Sequence, residues 1–191
     1  MKTLILLAIL TLNPPCLKAG LAWHEFDVTD HVPRRIDLDG PVVEVVQRDV
    51  KGAAFKEDNL KLTFIRKGSM KRDIWFTSSY GTGSVAMEGR LLFLRYGIGR
   101  GTLAREEHVR IYLIGKADDL EEVADVKVSS YMDLPGSKSN DPTLVEYRIQ
   151  IGADKTQTTI AFIPPSIKGI SLPEKSVSVI LKEEDAPPNK P

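Results

Sequence analysis

The chain is poor in the features that announce chemistry. Its 191 residues contain one cysteine, three histidines, 7% aromatics and no excess of either charge, with 26 Lys plus Arg against 26 Asp plus Glu. A single cysteine excludes both the disulfide framework of a small secreted domain and a cysteine-rich zinc site. A balanced total excludes a general nucleic-acid binder, because neutralising several phosphates takes a surplus of Lys and Arg. No apolar run reaches the length of about 20 residues that a membrane-spanning helix needs. A P-loop, a nucleophile elbow, an HExxH pair and a complete dinucleotide fingerprint are all missing. What is present, 42% hydrophobic and 27% charged residues, is the composition of one globular domain.

The first residues differ from the rest. Lys2 is followed by nine mostly apolar residues from Leu4 to Leu12, and Asn13-Pro14-Pro15 then ends any helix. This is the pattern of an export signal. Small residues at Gly20 and Ala22 predict a cut after Ala22, leaving Trp23 as the new first residue. Cys16 departs with that leader, and the two prolines before it fit a lipidation signal badly. The expected organisation is a leader over residues 1–22, one domain over 23–182, and a disordered acidic, proline-rich tail over 183–191. The expected location is periplasmic or secreted, with no transmembrane segment in the mature chain.

From Val42 onward the dominant period is two. Leu60, Leu62 and Phe64 alternate with Lys61, Thr63 and Ile65, and Val109, Ile111 and Leu113 alternate with His108, Arg110 and Tyr112. Residues 145–151 and 176–182 repeat the pattern, and further strands are expected over 23–28, 42–50, 73–77, 90–96, 126–132 and 156–163. Turn clusters such as Asp39-Gly40-Pro41 separate them. The fold class is therefore all-β, expected as a single antiparallel sandwich, Ig-like or jelly-roll-like, of about nine or ten strands. One stretch departs from this: Asp118-Asp119-Leu120-Glu121-Glu122-Val123-Ala124 has an acidic cap and apolar residues at helical spacing, which predicts a short helix.

The zero total charge conceals two unlike halves. Residues 34–116 hold 16 Lys plus Arg against 10 Asp plus Glu, and residues 117–191 hold 8 against 13. Five arginines recur at Arg90, Arg95, Arg100, Arg105 and Arg110, a spacing that fits neither a strand nor a helix face. They gather around Tyr96-Gly97-Ile98-Gly99-Arg100-Gly101-Thr102, which joins two strands. A hairpin there brings Arg95 near His108 and projects Arg100 and Arg105 from the tip, a cationic group suited to carboxylates, phosphates or an acidic protein surface. The competing reading is internal: Arg90 and Arg95 flank the apolar run Leu91-Leu92-Phe93-Leu94, and the acidic second half offers partners within the chain.

Catalytic and metal chemistry finds little support. His24 and His31 are too far apart for a zinc pair, and His108 is expected on the outer face of its strand. Asp37-Leu38-Asp39-Gly40 starts like a calcium loop but lacks its later ligands, so it reads as a turn. No cofactor is expected. The residues singled out for ligand binding are Tyr96, Arg100, Arg105 and His108. The function expected is that of an exported, non-catalytic binding protein of the cell envelope, its partner another envelope or extracellular protein with an acidic surface. A hydrolase acting on a wall polymer or glycan and a small-ligand or sugar carrier are the alternatives.

Overall fold

The computed structural model describes residues 20–48, 59–66, 71–99, 105–115, 119–132, 142–153 and 157–180. Most of the leader, Arg100 with the rest of the hairpin tip, and the tail lie outside the described residues.

Every described element is a strand, and every pairing is antiparallel. In place of the single sandwich of about nine or ten strands expected from the sequence, the described residues form 13 strands in three sheets. The central sheet has six strands: β1 (His24–Asp27), β6 (Thr82–Glu88), β7 (Leu91–Ile98), β8 (Glu106–Ile114), β9 (Leu120–Met132) and β10 (Thr143–Glu146), in that spatial order. A second sheet orders β2 (Arg34–Asp37), β3 (Val42–Gln47), β4 (Leu60–Ile65) and β5 (Lys71–Phe76). The third contains β11 (Arg148–Ala153), β12 (Gln157–Ile163) and β13 (Lys175–Ile180).

Strand alternation explains how three sheets make two cores. On β7, Leu92, Leu94 and Tyr96 join Val43, Leu62, Phe64 and Phe76 of the four-stranded sheet. Leu91 and Phe93 face the opposite way and join Ile160, Phe162 and Val179 of the three-stranded sheet. The central sheet is thus covered on both faces. Leu91-Leu92-Phe93-Leu94 is continuously buried because it occupies the middle of the stack, and its alternate side chains fill different cores.

Two departures from the sequence reading have clear physical causes. Leu120 to Ala124 belongs to β9 rather than to a helix. The β8–β9 register skips Val123 and Val128, so each forms a bulge. Leu120 packs against the core beside the four-stranded sheet, while the inserted Val123 and its neighbour Ala124 pack against the other core, so apolar side chains serving two faces of one strand fall at the i, i+3, i+4 spacing of a helix. The segment expected as one strand over 145–151 instead breaks at Tyr147. Its first part pairs with β9, its second with β12, and the Tyr147 amide donates to Val128 O at 2.7 Å at the corner.

The Asp39-Gly40-Pro41 turn forms as expected. Asp39 and Gly40 have φ of 58° and 133°, and the Gly40 amide donates to Asp37 Oδ1 at 3.2 Å. Among the described residues, no helix is long and apolar enough to cross a membrane.

Candidate functional site

The β7–β8 hairpin places Tyr96 directly opposite His108, and Arg95 opposite Val109. Because successive residues point to opposite faces, Arg95 and Tyr96 enter different polar assemblies. Arg95 and His108 are close along the hairpin but separated by the sheet.

The assembly on the side of the four-stranded sheet centres on Asp125. Its Oδ2 accepts from Tyr96 Oη at 2.5 Å and from Arg110 Nε and Nη2 at 3.0 and 2.8 Å. Its Oδ1 lies 3.0 Å from His108 Nδ1. Arg110 Nη2 also donates to Tyr96 Oη at 3.0 Å, and its guanidinium stands 5.4 Å from the Tyr96 ring centre. The two β9 bulges bracket this group, and the short register between them sets Asp125 opposite Arg110. Burial would raise the Asp125 carboxyl, but hydrogen bonds from His108, Tyr96 and Arg110 outweigh it and hold the group well below the usual carboxylate range. Burial and the Asp125 carboxylate together push the Tyr96 hydroxyl above the ordinary phenol range.

This geometry does not present a general base. An Asp-oriented histidine acts through its other ring nitrogen, which must reach substrate. His108 Nε2 has no contact with solvent and no hydrogen bond, and its nearest charged neighbour is Glu106 Oε2 at 3.6 Å. His108 is thus part of a half-buried network rather than on an outer face. Tyr96, 5% exposed and edge-on to Phe76 at 5.6 Å, is a core residue whose hydroxyl points into that network.

The opposite face carries the second assembly. Arg95 donates to Glu107 through Nε at 2.9 Å and also through Nη2, which reaches Glu146 at 2.7 Å. Arg105 Nη2 donates to the other oxygen of Glu107 at 2.8 Å, while its guanidinium lies 5.1 Å from the Tyr80 ring centre. A groove of about 640 Å³ opens beside these residues, with Trp23, Glu25 and Gly97 in its lining. A neighbouring groove of about 470 Å³ shares Trp23 and Arg95 with it and adds Tyr147 and Arg148. Trp23 sits at the junction, edge-on to Phe93 with ring centres 6.5 Å apart.

Gly83 makes this end of the sheet possible. A Cβ there would come within 2.5 Å of both the Arg95 carbonyl and the Phe26 ring, so only glycine lets β1, β6 and β7 close up.

Of the four residues singled out from the sequence, Tyr96 and His108 share one assembly, Arg105 belongs to the other, and Arg100 lies outside the described residues. The sequence reading missed Asp125, Glu107, Glu146 and Trp23. The only advance signal was the charge division, since Arg95–Glu146 and Arg110–Asp125 join the basic half to the acidic half. Among the described residues, no group of three His, Cys, Asp or Glu is placed to hold a metal ion.

Comparison with family models, curated proteins and solved structures gives no match. Function is therefore read from the geometry of these two assemblies.

Proposed function

We propose that this chain is an exported, non-catalytic binding protein of the cell envelope, periplasmic or secreted, and that its partner is a polypeptide seated in the groove beside Trp23, Arg95 and Arg105. The leader pattern supports export. The groove supports binding, and its pre-paired charges are the observation that carries the reading. Each guanidinium on its wall already holds a carboxylate, with Arg95 and Arg105 clamping the two oxygens of Glu107. Such a wall offers fixed donors, fixed acceptors and an indole surface without a large net field. That suits the mixed donors and acceptors of a polypeptide better than a polyanion, and charges ordered in advance lose little entropy on binding. Arg95, Arg105 and Arg110 are engaged within the chain and lend no support to a preference for an acidic surface.

The hydrolase reading draws less support, since the free nitrogen of His108 is sealed from solvent. The carrier reading suits an enclosed cavity, whereas both grooves are open.

Site-specific photo-crosslinking in the native host tests the proposal. A crosslinker at Arg105, whose side chain is 46% exposed, is compared with one at Trp75, 40% exposed on the four-stranded sheet. One polypeptide trapped from the envelope at position 105 and absent at 75 supports the reading. Equal trapping at both positions, or a chain that stays in the cytoplasm, overturns it.

A further inference from the structure

We infer that processing of the leader leaves Leu21 on the mature protein, with the cut N-terminal to it, rather than after Ala22 as the small-residue pattern suggests. This rests on the export reading above. Leu21 and Trp23 both pack against the core between the central and three-stranded sheets, where Phe93, Ile151 and Phe162 are buried. Gly20 and Leu21 also wall the groove beside Tyr147, Arg148 and Ile149. The residues just before β1 therefore close the second core at the point where the chain crosses from β10 to β11.

A cut after Ala22 would remove that cover. It would also place a new ammonium group on Trp23, whose indole lies edge-on to Phe93. A charge there must stay hydrated, which opposes the packing of its own side chain. A cut after Ala19 keeps Leu21 and puts a small residue directly before the scissile bond, with the larger Leu17 at the third position before it. The reaction is hydrolysis of one peptide bond: water supplies hydroxyl to the new carboxyl end and a proton to the new amine.

The test is the N-terminus of the exported protein. The full-length chain is expressed in a bacterial host, recovered from the periplasm or medium, and read by intact mass and N-terminal sequencing. A first residue of Leu21, Gly20 or an earlier position within 13–19 is the expected result. A first residue of Ala22 or Trp23 overturns the inference and leaves export standing. A chain still beginning at Met1 overturns both. Packing is read independently from proteins made to begin at Gly20 or at Trp23. The shorter one is expected to melt about 3–6 °C lower, in line with loss of a partly buried leucine. Equal melting temperatures also overturn the inference.

Discussion

Replacing Asp125 with Asn keeps the side chain's shape and removes its charge. Three protein groups lose the charge of the carboxylate they share, and one of its two oxygens becomes a donor: Tyr96 Oη stands at 2.5 Å, His108 Nδ1 at 3.0 Å, and the Arg110 guanidinium at 2.8–3.0 Å. A hydrogen bond to a charged group contributes about 1.5–3 kcal/mol, and breaking a fully buried ion pair costs about 3–5 kcal/mol. Asp125 keeps 25% of its side-chain exposure, and Arg110 retains Glu122 at 3.6 Å, so water and a second carboxylate soften the loss. The expected destabilisation is about 2–3 kcal/mol at pH 7. In a chain of this size that lowers the melting temperature by about 4–12 °C. Urea unfolding followed by fluorescence of Trp23 and Trp75 measures it.

The pH dependence makes the test specific. The Asp125 carboxyl is held below its ordinary range in the folded protein. Its contribution is therefore complete above the unfolded value of about 4 and is lost as pH falls through the folded one. The stability gap between the native protein and Asp125→Asn should narrow by about 1 kcal/mol between pH 7 and pH 3. A loss under about 0.5 kcal/mol at pH 7, the size of an ordinary surface change, would refute the assigned network. So would a gap that does not change with pH.

Tyr96→Phe should cost about 1–2 kcal/mol, since it deletes a donor to Asp125 and an acceptor for Arg110. Burial and Asp125 raise the Tyr96 hydroxyl, so its contribution is complete below about pH 10 and lost above it; the native protein should therefore lose more stability in alkali than the variant. Gly83→Ala should destabilise by about 2–4 kcal/mol, because one of the atoms its Cβ would strike is backbone that cannot swing aside, and thermal melting reads this directly. Phe93→Ala should cost about 3–5 kcal/mol in urea unfolding. Ile180→Ser, at a side chain 70% exposed, should stay within about 0.5 kcal/mol. Similar losses for these two would contradict a central sheet covered on both faces.

The strands were readable where one residue in two is buried without a break, as on β12, and where apolar residues alternate along the sequence, as Leu60, Leu62 and Phe64 do on β4. β2 and β6 were missed. β2 is four residues long with one buried side chain, too short to show a period. β6 opens with Thr82-Gly83-Ser84, which looks like a loop until Phe26 is seen to press against Gly83. The helix expected at 118–124 failed because a bulge imitates helical spacing, and bulges are settled by a partner strand distant in sequence.

For the candidate site, the sequence located the hairpin and its arginines but not what they do. Side-chain alternation sends neighbouring residues to opposite faces, so Arg95 and Tyr96 were bound to part company. Which acids would meet them depended on pairings across 51 and 29 residues of chain.

By itself, then, the sequence determined the antiparallel all-β class, the leader pattern and the division of charge, because each is a local or summed property of residue types. Tertiary structure alone decided that three sheets enclose two cores, that the cationic residues beside the hairpin tip are neutralised from within, and that Leu21 and Trp23 complete a core. Those outcomes depend on residues far apart in the chain sharing one small volume, and no periodicity along the chain encodes that.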